Sequence, residues 1–179
     1  MLSTAEQRTT TVIDAAIAEF ARTGYLGTPT ASIATRAAIS TAYVFKLFPT
    51  KEKLFVAALD RCFERVLAAI EAGADAAATQ SPADVLDAMG EAYADLIADR
   101  DLLMLQVHAQ SAADVPEIGD ALRRGLGSVT LFARSRSRAS DTEVQRFIAY
   151  GQLCHLIVTT SIDGSTSEWA SVLTEGIRH

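Results

Sequence analysis

The chain has 179 residues, of which 49% are hydrophobic and 21% charged, and its formal net charge is −6. This balance is typical of a folded globular protein and excludes a disordered chain. Glycine (10) and proline (4) are scarce, and because both residues break helices, their scarcity favours an all-α fold.

The first three predicted helices are separated by tight turns. Apolar residues at helical spacing predict a first helix that ends at Gly24, a residue suited to a left-handed C-terminal cap. Thr28 is expected to cap the second helix, with Pro29 at its first helical position. Ser40 is expected to cap the third helix, which Pro49 ends. Two short helices after a longer one are typical of a helix-turn-helix arrangement.

Six further helices are predicted after the third. They lie at about residues 51–77, 82–99, 101–113, 117–137, 141–162 and 165–177. The predicted fold is therefore all-α with about nine helices. It consists of an N-terminal helix-turn-helix domain over residues 1–50 and a larger helical domain over residues 51–179.

The third predicted helix has two different faces at 100° per residue. Its packing face contains Val44, Leu47 and Phe48. Its opposite face contains a small residue and a cation, flanked by two aromatic rings: Ala42, Lys46, Tyr43 and Phe45. In a helix-turn-helix the outward face enters the DNA major groove, where a cation can meet a phosphate or a guanine edge. Taken singly, Tyr43 and Lys46 are explained equally well as surface residues of a helical bundle.

The charges are distributed unevenly along the chain. Residues 1–56 carry 6 − 4 = +2, whereas residues 57–179 carry 10 − 18 = −8. Lys51 stands at the first position of the fourth predicted helix, where the helix dipole disfavours a cation by about 0.3–1 kcal/mol. A DNA phosphate bound at that end of the helix would make the position favourable for the Lys51 cation. An ordinary surface lysine remains the simpler interpretation of Lys51 alone.

The segment GYLGTPTASIATRAAISTAYVFKLFPTKEKLFVAAL, residues 24–59, resembles the DNA-binding domain of the TetR family of bacterial transcription regulators. The resemblance covers about residues 8–59, and its YVFKLFPTK recognition helix is similar to that of a subgroup. It implies a homodimer with a helical ligand-binding and dimerisation domain, a near-palindromic operator and repression relieved by a small molecule. The expected DNA-contacting residues are Thr28, Thr30, Thr41, Ala42, Tyr43, Phe45, Lys46 and Lys51.

The recognition helix departs from the family pattern at two positions. The family commonly has glycine where Ala42 stands, and it commonly has tyrosine where Phe45 stands. The hydroxyl of that tyrosine typically contacts a phosphate, and Phe45 has no such donor. We therefore expect a shifted set of contacts, in which Tyr43 can supply the hydroxyl.

The larger domain carries no recognisable catalytic motif. It has no GxxxxGK[ST] loop, no HExxH pair and no Glu-x-x-His pair, so no enzyme, cofactor or metal ligation is expected. Its expected ligand-binding residues are polar or aromatic residues within apolar runs, each of which is also explained as core: Met89, Tyr93, Met104, Gln106, His108 and Phe132. His155, in the apolar run QLCHLIV, is expected to be a core or pocket histidine. The apolar helix at 141–162 is expected to be core or dimer interface.

Three functions remain open at the level of sequence. The first is a homodimeric, sequence-specific DNA-binding transcriptional regulator, released from its operator by a small molecule. The second is a helical small-molecule-binding protein or enzyme with an incidental helix-turn-helix. The third is a constitutive architectural DNA binder, which the acidic body disfavours. Two isolated cysteines, no signal peptide and no long apolar run predict a cytoplasmic protein without a membrane partner.

Overall fold

The computed structural model describes residues 4–176, and within them it confirms the all-α class. The helices are α1 (Thr4–Gly27), α2 (Thr30–Arg36), α3 (Thr41–Leu47), α4 (Lys51–Asp75), α5 (Pro82–Ile97), α6 (Arg100–Ser111), α7 (Pro116–Ser137), α8 (Asp141–Thr160) and α9 (Glu168–Thr174). A short 3₁₀ turn at Ile162–Gly164 follows α8. The predicted end of the last helix, at residue 177, lies outside the described residues.

The chain forms two compact units. The first consists of the chain up to Glu64 together with Arg100–Gly125, and the second consists of Arg65–Asp99 together with the chain from Leu126 onward. The division therefore falls within α4 and within α7. The functional boundary expected at residue 50 stays a prediction.

The first unit is built around aromatic and aliphatic side chains from α1 to α4. Phe20 and Phe55 are fully buried and meet edge to face, with 4.7 Å between ring centroids. Ile33 of α2, Val44 of α3 and Leu54 of α4 are also fully buried. Because each of these helices contributes to one core, the short helices α2 and α3 are held by tertiary packing rather than by their own propensity.

Two of the predicted helix ends are confirmed. Gly24 interrupts α1 with φ 71° and ψ 179°, a conformation that residues with a side chain rarely adopt. Ser40 caps α3, since its side chain accepts a hydrogen bond from the backbone N–H of Tyr43. The predicted cap of the second helix is wrong, because α2 begins at Thr30, and its N-cap residue, Pro29, provides no side-chain hydrogen bond.

The turn between α2 and α3 is a Schellman motif. Ala38 has φ 55°, its N–H donates to the carbonyl oxygen of Thr35 at 3.1 Å, and the N–H of Ile39 donates to that of Ala34 at 3.0 Å. Both backbone donors of the turn are therefore satisfied. This arrangement fixes the direction in which the chain enters α3.

In the second unit, α5 packs against α8, and α8 packs against α9. Ile157, Ile162 and Ala170 form a small buried cluster at the junction of α8, the 3₁₀ turn and α9. The helix α9 has seven residues and is shorter than predicted. Across the part of the chain that is described, none of the helices has the length and apolar character needed to cross a membrane.

Candidate nucleic-acid interface

The helix α3 exposes the face that its sequence predicts. Val44 is fully buried, whereas Ala42 and Lys46 are exposed and Phe45 is 43% exposed. Leu47 lies half-buried on the inner side. The predicted division of α3 into a packing face and an outward face is therefore confirmed. The outward face presents a small side chain, an aromatic ring and a cation in one helical turn.

The two threonines at the starts of the short helices are accessible. Thr30 is the first residue of α2 and Thr41 the first residue of α3, and both are half-buried. Each lies at a helix start, where side-chain hydroxyls and backbone N–H groups commonly meet DNA phosphates. The expected contacts of both residues with DNA stay predictions.

Thr28 does not belong to the exposed face, and the expectation that its side chain contacts DNA is corrected here. Its side chain is fully buried. The Oγ1 atom lies 2.7 Å from the carbonyl oxygen of Gly24 and 3.1 Å from that of Glu19, and it also meets Oγ1 of Thr23 at 2.7 Å. The hydroxyl therefore makes its hydrogen bonds inside the fold, with carbonyl oxygens of α1. Thr28 fixes the approach to α2 from inside.

Glu19 joins α1 to α2 through a buried carboxylate. Its Oε1 accepts a hydrogen bond from Nε of Arg36 at 2.8 Å, and its Oε2 accepts one from Arg22 at 2.9 Å. Glu19 is only 6% exposed. The bonds from Arg22 and Arg36 lower the pKa of Glu19 to about 2. The carboxylate therefore stays ionised at neutral pH and holds α1 and α2 together.

Lys51 is held against the end of α1 rather than extended into solvent. Its Nζ donates to the carbonyl oxygen of Leu26 at 3.4 Å and lies 5.0 Å from the centre of the Tyr25 ring. Burial lowers the pKa of Lys51. The Tyr25 hydroxyl in turn donates to Glu52, and burial, then Glu52, raises the pKa of that tyrosine to about 12. Lys51 is thus a positioned cation at the start of α4, and its expected phosphate contact stays a prediction.

Arg8 lies beside α3, and this proximity was not predicted from the sequence. Its guanidinium carbon lies 5.8 Å from the centre of the Tyr43 ring, and Nζ of Lys46 lies 5.9 Å from the same centre. These distances are within the range of cation–π contacts. The sequence held one indication: no acidic residue lies three or four positions from Arg8, so no ion pair within α1 is expected for it. Its proximity to Tyr43 depends on tertiary packing and could not be predicted.

The six expected ligand-binding residues fall into both units. Met104, Gln106 and His108 lie on α6 in the first unit, and Met89, Tyr93 and Phe132 lie in the second. His108 has a packing role, because a Cβ placed on Gly24 would lie 2.9 Å from its Nδ1. The buried amide of Gln106 donates to the carbonyl oxygen of Leu102 on its own helix. The ligand role of all six residues stays a prediction.

Tyr93 and His155 form a polar pair inside the second unit. The Tyr93 hydroxyl lies 2.6 Å from Nε2 of His155. His155 is 4% exposed, and its Nδ1 is buried without a hydrogen-bond partner among the described residues. Burial lowers the pKa of His155 to about 4, so the ring is neutral at pH 7. Such a pair is suited to orienting a polar group within apolar surroundings.

The described residues contain no group of three or more histidine, cysteine, aspartate or glutamate side chains placed to hold a metal ion. Cys62 and Cys154 are both buried and free of disulfide bonds.

A family model matches part of the first unit in sequence. Residues 12–58 match the model described as bacterial regulatory proteins, tetR family. No curated protein matches the chain in sequence.

Solved structures match almost the whole chain. A candidate transcriptional regulator from Pseudomonas aeruginosa PAO1 is 20% identical, with a TM-score of 0.73, covering 98% of this chain and 91% of that one. FadR from Bacillus subtilis, solved with stearoyl-CoA, is 15% identical, with a TM-score of 0.67 and 92% of each chain covered. The multidrug binding protein EbrR, solved with proflavin, is 23% identical, with a TM-score of 0.62, covering 93% and 98%. The TM-scores show that these proteins share the fold of this chain.

Proposed function

We propose that this chain is a member of the TetR family of bacterial transcription regulators, whose model matches residues 12–58, and that it acts as a homodimer bound to a near-palindromic DNA operator. A small molecule that binds the second unit would release the dimer from the operator. The observation that carries this proposal is the outward face of α3, where Ala42, Phe45 and Lys46 are exposed while Val44 is fully buried.

The exposed face of α3 has the chemistry of a major-groove reader. Ala42 permits close approach of the helix backbone to the base edges. Lys46 can donate to guanine or to a phosphate, and Phe45 can contact the methyl group of thymine. The buried Val44 and the capped start of α3 hold these side chains on a rigid support. In a dimer, two copies of α3 would enter successive major grooves about 34–36 Å apart.

The dimer interface proposed here lies on the second unit. Among the described residues of that unit, five large apolar or aromatic side chains are exposed in the single chain: Leu131, Tyr150, Leu156, Trp169 and Val172. They belong to α7, α8 and α9. Exposed large apolar side chains concentrated on consecutive helices are typical of a surface that a partner covers. A second copy of this chain is the partner that the family implies.

The effector proposed here is a molecule with a large apolar body. Two solved structures with the same fold hold such bodies, since FadR was solved with stearoyl-CoA and EbrR with proflavin. In this chain the Tyr93–His155 pair offers a polar anchor within the second unit. The effector would bind better to the conformer that cannot place both recognition helices, and so it would weaken DNA binding by a population shift.

We place this activity in the cytoplasm, where a regulator reaches chromosomal DNA. The proposal includes no enzymatic role, and the solved structures that match this chain include transcription regulators. We therefore assign the proposed activity to DNA binding by the helix-turn-helix.

Selection of bound duplexes from a randomised pool tests the proposed function. We expect enrichment of an inverted repeat whose half-sites are separated by one helical turn. Compounds are then screened for release of the selected duplex. A pool that stays random after repeated rounds with folded protein would contradict sequence-specific binding. Recovery of an enriched site that no compound releases would contradict only the effector part.

A further inference from the structure

Arg8 and Lys46 are two cations beside one aromatic ring. Both lie within 6 Å of the centre of the Tyr43 ring. Arg8 and Lys46 are exposed, and neither forms an ion pair with an acid in the described part of the chain. Because like charges repel, this arrangement is stabilised when an anion joins it.

The surface beside Arg8 forms a shallow concavity that is open to solvent and carries several hydrogen-bond donors. The concavity has a volume of about 380 Å³ and is lined by Arg8, Ala38, Ile39, Ser40 and Tyr43, none of them acidic. The Ser40 side chain accepts from the Tyr43 N–H at 3.2 Å, which leaves its own O–H to donate. The Schellman turn fixes the backbone of Ala38 and Ile39, which line the concavity.

A DNA phosphate matches these donors. A guanidinium presents several N–H groups in a fixed plane and suits the paired oxygens of a phosphate. Serine and tyrosine hydroxyls also commonly donate to phosphate oxygens. The cation held beside Tyr43 can therefore supply a contact to the DNA backbone.

We propose that Arg8, with the hydroxyls of Ser40 and Tyr43, binds a backbone phosphate of duplex DNA beside the base-reading face of α3. This site rests on the proposed function, since it assigns a contact in the same DNA-bound state. The contact positions α3 on the duplex and carries no sequence information of its own.

The salt dependence of DNA binding tests this site. Affinity is measured between about 50 and 200 mM salt for a selected operator duplex and for a random-sequence duplex of the same length. The variants are Arg8→Ala, Arg8→Gln and Arg8→Lys. The control is Arg123→Ala, which removes the same charge from an exposed pair with Asp120 on α7.

We expect Arg8→Ala and Arg8→Gln to weaken binding to both duplexes by the same factor. The slope of log affinity against log salt concentration should fall in magnitude by about 1 per subunit. Arg8→Lys should keep the slope, because it keeps the charge, and Arg123→Ala should keep both slope and affinity. Circular dichroism melting checks that each variant is folded, and because Arg8 is exposed we expect wild-type melting for both neutral variants.

Two results would overturn the phosphate site. One is a folded Arg8→Gln variant with the wild-type salt slope. The other is a loss of affinity confined to the operator duplex, which would make Arg8 a base-reading residue. Both results leave the proposed function standing. A wild-type protein that binds neither duplex would instead overturn the proposed function, and the phosphate site with it.

Discussion

At the scale of single residues, Glu19 links the helix-turn-helix to α1 through a buried charge. Its two carboxylate oxygens are each bonded to an arginine, Arg22 within α1 and Arg36 at the end of α2. The carboxylate is 7% exposed while both arginines are about half exposed. Loss of either arginine would leave the buried charge of Glu19 less compensated, and burial of an uncompensated charge destabilises the fold.

Glu19→Gln should lower the free energy of unfolding by about 2 kcal/mol at pH 7, the usual contribution of a charged hydrogen bond. Because the folded pKa of Glu19 is depressed to about 2 from 4.5, its contribution is complete above pH 4.5 and lost as pH falls toward 2. The difference between wild type and variant, measured by urea unfolding, should therefore shrink across this window. The exposed Glu64→Gln is the control. A difference that stays constant from pH 4.5 to 2 would contradict this role.

Gly24 is required for two independent reasons. Its φ of 71° with ψ of 179° belongs to a region that only glycine occupies readily. A Cβ at this position would also lie 2.9 Å from Nδ1 of His108. The chain therefore turns out of α1 at a place where α6 leaves no room for a side chain.

Gly24→Ala should lower the free energy of unfolding by about 2 kcal/mol, from backbone strain and from the contact with His108. Gly90→Ala is the matched control. Gly90 lies within α5 and a Cβ there would meet no atom within 4 Å, so this change should raise stability by about 0.5–1 kcal/mol. Thermal melting compares the two. Equal effects of both substitutions would show that neither strain nor His108 limits position 24.

At the scale of elements, α3 separates folding from recognition on opposite faces. Val44 is fully buried and Lys46, two residues later, is exposed. A seven-residue helix has little stability of its own. Packing of the inner face must therefore stabilise the helix, while the side chains of the outer face are available for contacts with DNA.

Lys46→Ala should weaken operator binding by about tenfold or more, since one good contact to a base or phosphate contributes roughly 1–3 kcal/mol. Its thermal melting should match wild type. Val44→Asp should unfold the first unit, because it buries an unpaired charge. Melting curves and DNA titrations separate the two effects. Equal thermal destabilisation by both substitutions would contradict the division of α3 into two faces.

The elements show how far sequence alone can reach. Local signals predicted the Ser40 cap, the break at Gly24 and the start of α5 after Ser81, because each depends on neighbouring residues only. Thr28 was misassigned because its hydroxyl partners lie four and nine residues earlier in α1. The cation of Arg8 was missed for a related reason, since only the packed structure brings it to Tyr43.

At the scale of the whole molecule, the proposed dimer explains the apolar surface of α7 to α9. Leu156 of α8 is 48% exposed and Trp169 of α9 is 58% exposed in the single chain. Leu26 is also an exposed leucine, but it belongs to the first unit, where its carbonyl oxygen accepts a hydrogen bond from Lys51 at the start of α4. The two leucines therefore allow a matched comparison.

Leu156→Glu should convert the dimer to a monomer, because a charge would be buried at the interface without a partner. Leu26→Glu should leave the protein dimeric. Sedimentation velocity at micromolar concentration measures the change. A monomeric wild type, or a Leu156→Glu variant that stays fully dimeric, would contradict the proposed interface.

The most direct test of the central claim is the dependence of DNA affinity on half-site spacing. Two recognition helices fixed by one dimer require half-sites on the same face of the duplex. Insertion of five base pairs, about half a helical turn, between the half-sites of the selected operator should reduce affinity to that of a random duplex. Insertion of ten base pairs should also reduce affinity, because the half-sites stay on one face of the duplex but lie too far apart for one dimer. An operator that keeps full affinity with five inserted base pairs would contradict the account of a dimeric, sequence-specific regulator.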